Sequence, residues 1–229
     1  MKKIIFAFAA LCFSTPLLAE TPGLVAVPVT SVFVPVGFDD NDEAQIILDG
    51  MLPNTCYRLA HTEVEPTEGG FIVRQLARRF GGMCIPSFVP FWTEVSLGRL
   101  TAGEYKIGVV EGPGDASLSV APAPTSSQDD FLYAPVQDLV VERNADGLWV
   151  AQISGRIPSS CLNLKETRVL DQGHVLVVLP ILEQADADCQ TEDRPWAASV
   201  VLPQLSEEGQ YLVHVRSMSG KAVNSVFTH

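Results

Sequence analysis

Residues 48 to 59 read Leu-Asp-Gly-Met-Leu-Pro-Asn-Thr-Cys-Tyr-Arg-Leu, and residues 153 to 164 read Ile-Ser-Gly-Arg-Ile-Pro-Ser-Ser-Cys-Leu-Asn-Leu. Gly50, Pro53, Cys56 and Leu59 are answered at identical spacing by Gly155, Pro158, Cys161 and Leu164. A second cysteine follows each first one 28 positions on, as Cys84 and as Cys189. With one or two residues of slippage the series continues: Trp92, Leu100, Gly103 and Tyr105 against Trp196, Leu205, Gly209 and Tyr211. An ordered series of this kind, offset by about 105 residues, marks a tandem repeat of one small domain.

The strand signals agree with that division. Leu24 to Val36 is β-branched but broken by Pro28 and Pro35, which remove ladder donors and predict an edge strand or strand pair. Gly37 to Glu43 reads as a turn, and Leu52-Pro53-Asn54-Thr55 as the bend that delivers Cys56. Phe71 to Phe80 is ambiguous between strand and helix until it is set beside its counterpart, His174 to Leu182, which is β-branched and carries Pro180. Both are read as strands. Asp146-Gly147 between two apolar runs signals a hairpin, and no helical stripe of useful length occurs. Short strands with turns every few residues predict an all-β chain of two tandem immunoglobulin-like β-sandwich domains, 20–122 and 129–229, joined by the proline-containing linker 123–128.

Residues 1–19 read as a signal peptide: Lys2 and Lys3, an apolar run from Ile4 to Phe13, and small residues ending at Ala19. The expected location is periplasmic or secreted. Cys12 leaves with the signal, so four cysteines remain in an oxidising compartment. Of the three possible pairings, the repeat selects one bridge per copy, Cys56 to Cys84 and Cys161 to Cys189. The net charge of −12 becomes more negative once Lys2 and Lys3 are removed, which argues against nucleic-acid and membrane partners.

The motif series Gly50, Leu52, Pro53, Cys56, Tyr57, Leu59, then Cys84, Phe91, Leu97, Leu100, Ala102, Gly103 and Tyr105, resembles a family of exported bacterial domains of the Gly-x-Leu-Pro-x-x-Cys type. The resemblance implies an immunoglobulin-like sandwich and no particular activity. The second copy departs from it at Leu162, where tyrosine is usual, and at Glu208-Gly209.

Patterns that carry chemistry are sparse. His61, His174, His214 and His229 have no equivalents between the copies, and His214 sits in an alternating strand as an outward-facing residue. No zinc, phosphate-loop or nucleophile-elbow motif occurs, so an enzyme is the least favoured class and no cofactor is expected. Two acidic loops offer hard oxygen ligands, with Asp39, Asp40 and Asp42 in one and Asp186 and Asp188 in the other, and they make a calcium- or ligand-binding envelope protein the alternative function. Solvated acidic turns are the favoured reading. Trp92 and Trp196 are read as core in both copies. Ile85, Phe88, Val89 and Phe91 stand where the second copy has the polar run Gln190 to Pro195. That contrast marks them as a possible interface, toward the second domain first, with an unidentified envelope or extracellular protein and the local core as the two other readings. The expected function is an exported, non-catalytic structural or protein-interaction module.

Overall fold

The structure is a computed structural model and describes residues 23–185 and 188–229. The signal stretch 1–19 and Asp186 lie outside the described residues. Among these residues the chain is all-β.

The first half contains β1 (Gly23–Ala26), β2 (Val29–Phe33), β3 (Phe38–Asp39), β4 (Ala44–Leu52), β5 (Tyr57–Thr67), β6 (Gly70–Arg79), β7 (Val89–Gly98), β8 (Gly103–Val109) and β9 (Ala116–Ala121). The second contains β10 (Asp138–Arg143), β11 (Trp149–Ser159), β12 (Leu162–Gln172), β13 (Val175–Gln184), β14 (Thr191–Val201), β15 (Gln210–Ser217) and β16 (Lys221–Thr228). One sheet of the first half is β2-β4-β7; the other runs β1-β6-β8-β9-β3, with β5 on β6. The second half gives β10-β11-β14 and β12-β13-β15-β16. Strand order therefore recurs from β4 to β9 and from β11 to β16.

Each half is a sandwich because its strands alternate. Ile46, Leu48, Phe91 and Val95 meet Val73, Ala77, Ile107 and Leu118 in the first core. Ala151, Ile153 and Val200 meet Leu176, Val178, Val213 and Val215 in the second. Tyr105 and Tyr211 close the two corners alike, each hydroxyl donating to a carbonyl four residues upstream, Thr101 at 2.7 Å and Glu207 at 3.0 Å. This is the tyrosine corner of immunoglobulin-like sandwiches. Three pairings depart from the antiparallel immunoglobulin sheets: β6 with β8, its equivalent β13 with β15, and the short β3 with β9 are parallel.

Pro28 lies between β1, which pairs with β6, and β2, which pairs with β4, so the chain changes sheets at the proline. Pro180 occurs where β13 has run past β15 and its outer edge receives Tyr133 and Ala134 instead. The turn expected over 37 to 43 contains a short strand, and Phe38 within it is buried in the first core.

The repeat also resolves its own slippage. Gly50 pairs across the sheet with Phe91, and Gly155 with Trp196. Phe91, not Trp92, is therefore the structural counterpart of Trp196. Trp92 points to the other face and is 45% exposed, which corrects its assignment to the core; Trp196 is partly buried and packs against two clusters. Both glycines are needed for space. A Cβ on Gly50 would stand 2.6 Å from the Phe91 ring, and one on Gly155 would overlap the Pro135 carbonyl and sit 2.9 Å from Trp196 Nε1.

A third apolar cluster lies between the halves. Phe33 and Ile47, on the outer face of β2 and β4, meet Val175, Val177, Leu179 and Leu212, on the outer face of β13 and β15. β4 and β13 are thus buried on both faces, and four sheets stack in series. Each large apolar side chain covered there contributes roughly 1.5–3 kcal/mol.

Candidate contact surface

The bend Leu52-Pro53-Asn54-Thr55 places Cys56 beside the loop that follows β6. Asn54 Oδ1 accepts the Cys56 amide at 2.9 Å, a local turn that fixes the cysteine's approach. Cys56 is bonded to Cys84, with Cα atoms 5.3 Å apart. Beside the bridge, Thr55 N donates to Ile85 O at 3.3 Å and Ile85 N donates to Thr55 Oγ1 at 3.0 Å. The second half repeats the arrangement: Cys161 is bonded to Cys189, Ser160 N donates to Gln190 O at 3.1 Å, and Gln190 N donates to Ser160 Oγ at 3.0 Å. Both expected bridges are present on the same hydrogen-bonded latch.

What the two latches display differs. In the first half Met83 is wholly exposed, Phe88 is 73% and Ile85 66% exposed, and Phe80 is exposed beside them. The equivalent positions of the second half are Asp188, Asp193, Gln190 and Ala185. Arg58, Arg78 and Arg79 emerge next to the loop, and Arg58 stands directly opposite Arg78 in the β5/β6 register. Arg58 Nη1 donates to the Thr55 and Tyr57 carbonyls at 3.0 and 2.9 Å. Among the described residues none of the three makes an ion pair. Their counterparts are Asn163, Glu183 and Gln184.

The four residues expected to form one interface are divided by the structure. Ile85 and Phe88 are exposed, Val89 begins β7 and packs half-buried against the first core, and Phe91 is 7% exposed within that core. The expectation that the second half covers this segment is corrected: the covered face is Phe33 and Ile47, because β4 presents Ile47 outward while its neighbours Ile46 and Leu48 point inward. The polar run Gln190 to Pro195 is likewise part strand, since β14 begins at Thr191.

The seam between the halves also holds buried polar groups, among them Asp42 and His214, which the sequence singled out, and Arg216 and Asn224, which it did not. Arg216 Nη1 donates to Asp42 Oδ2 at 3.1 Å, its Nη2 donates to the Gly37 carbonyl at 2.8 Å, and its guanidinium lies 4.4 Å over the Phe38 ring. Asn224 Nδ2 donates to Glu94 at 2.7 Å, and its carbonyl oxygen accepts from His214 Nδ1 at 2.8 Å. The neutral imidazole therefore carries its proton on Nδ1. His214 does point away from its own sandwich, but the first half covers it completely, and burial with Arg216 nearby pushes its pKa down to about 3. Its Nε2 has no hydrogen-bond partner among the described residues.

The first acidic loop is engaged within the protein. Asp39 Oδ1 accepts the Asn41 amide, Asp40 Oδ1 accepts the Ala123 amide, and Asp42 Oδ2 accepts the Asp39 amide as well as Arg216, at 2.9 to 3.1 Å. Burial raises the Asp42 carboxyl above its ordinary value, against the pull of Arg216. Asp188 of the second loop is exposed. Among the described residues no three acidic, histidine or cysteine side chains are grouped for a metal, and no helix is long and apolar enough to cross a membrane.

No curated protein and no solved structure matches the chain. Residues 46–120, from β4 through most of β9 and including the first latch, match the model of the ORF11 beta-sandwich domain.

Proposed function

We propose that the protein is an exported, non-catalytic structural or protein-interaction module, built of two domains, 20–122 and 129–229, joined by 123–128. The observation that carries this reading is the seam between the halves. Apolar residues from both sides and the Arg216–Asp42 pair hold two sandwiches face to face, as suits a rigid spacer that presents fixed surfaces. The bonded cysteines favour an oxidising compartment, periplasmic or extracellular.

A photoreactive side chain placed at Val140, Leu148 or Val201, apolar residues about half exposed on the second half, tests the reading in cells. A discrete protein adduct at one or more of these positions supports it. Absence of any adduct at all three, with the chain exported and folded, removes the interaction reading.

A further inference from the structure

We infer that the first latch presents a docking tip for an anionic lipid surface, with Met83, Ile85 and Phe88 entering the interface and Arg58, Arg78 and Arg79 meeting the headgroup phosphates. The inference goes beyond the functional reading above and concerns a different surface.

Two observations stand beside each other at this tip. The apolar side chains project into solvent from a loop already fixed by a disulfide and two hydrogen bonds. The scaffold does not require them, because the identical latch in the second half carries Asp188, Gln190 and Asp193 instead. Next to them, three guanidinium groups lack acidic partners among the described residues, in a chain of net charge −12. Arg58 opposite Arg78 is a like-charge cross-strand pair, destabilising until an anion is shared between them.

A lipid–water boundary satisfies both features together. Its acyl region accepts the apolar side chains, and its phosphates accept the planar donor forks of arginine. Since the tip is latched beforehand, little ordering cost accompanies docking. The acidic character of the chain as a whole, which argues against membranes, acts weakly here: at physiological salt, charges farther than about 8 Å from the contact are screened.

Flotation with vesicles tests the tip. The probe is phosphatidylglycerol and phosphatidylcholine in equal parts, against phosphatidylcholine alone. The chain used runs from Glu20 to His229, which removes the apolar leader as a second source of lipid binding. Flotation is expected only with phosphatidylglycerol, falling as salt rises and by about fivefold for each of Arg58→Gln, Arg78→Gln and Arg79→Gln. Phe88→Ser and Met83→Ser should also lose it, with unchanged thermal melts, and Phe88→Trp should shift its emission to the blue on these vesicles only. No flotation of the parent chain overturns the inference, as does flotation that the arginine and apolar variants leave intact. A protein adduct through a photoreactive residue 88, in a chain that ignores vesicles, also overturns it and identifies a protein as the occupant. None of these outcomes bears on the seam between the halves, so the structural reading fails or stands separately.

Discussion

Arg216 Nη1 meets the Asp42 carboxylate at 3.1 Å across the boundary between the two halves, with both side chains less than a tenth exposed. Breaking a buried pair by removing one partner leaves an uncompensated charge. Arg216→Met should therefore destabilise the full chain by about 3–5 kcal/mol in denaturant unfolding. The double variant with Asp42→Asn should lose clearly less than the sum of the single losses. Strict additivity would mean that the two residues do not act as a pair.

Asp49 is buried on the outer face of β4, with Thr30 Oγ1 donating to its carboxylate at 3.1 Å. Burial raises its pKa above 3.8, and the Thr30 bond offsets this only in part. A carboxyl with a raised folded pKa stabilises the fold below its unfolded value. That contribution is lost as pH rises through the raised one. Asp49→Asn should thus melt higher than the parent at neutral pH, and the advantage should vanish as pH falls below about 4. Melts across this range check the sign; an advantage that grows in acid contradicts it.

Phe91 and Phe88 are separated by only three positions yet belong to different environments. Phe91→Ala should cost about 3–5 kcal/mol, since it empties a core site facing Gly50. Phe88→Ala should stay within about 0.5 kcal/mol, as for other exposed positions. Equal losses in urea titrations would place both residues in the core.

Gly155 leaves room for the Pro135 carbonyl and the Trp196 indole, whose Nε1 donates to that carbonyl at 2.8 Å. Gly155→Ala must displace backbone, so a loss of about 1–3 kcal/mol is expected, with altered Trp196 emission. Gly114→Ala, where a Cβ meets nothing within 4 Å among the described residues, serves as the control and should leave stability unchanged.

The repeat was legible because glycine, proline and cysteine answer backbone requirements, and those requirements recur at fixed spacing. The aromatic match slipped by one position because tryptophan was paired with tryptophan, whereas the sheet needs any flat ring opposite the glycine, and Phe91 supplies it. The seam, too, has a sequence signal. Ala44 to Gly50 and Val175 to Leu182 are buried without interruption, as strands covered on both faces should be. The residues that complete the seam, such as Phe38, Glu94, Arg216 and Asn224, lie far apart in sequence and on different strands, so no local pattern joins them. The tip was visible as an apolar segment, but its arginines became part of it only when β5 and β6 set Arg58 opposite Arg78.

The parallel pairing of β6 with β8, and of β13 with β15, constrains the order of assembly. Between the members of each pair the chain leaves for the opposite sheet, as β7 or β14, before it returns. A hairpin such as β5–β6 can close early, but its neighbour arrives only after a strand has docked on the other layer. Neither sheet of a half can therefore be completed alone, and the contacts that finish it are distant in sequence. Such topologies fold slowly for their size, because loop closure precedes the contacts that compensate it. The chain remains unfinished, with Gly70 to Val73 of β6 and Val175 to Val178 of β13 open along one edge, until both layers of the same half have met.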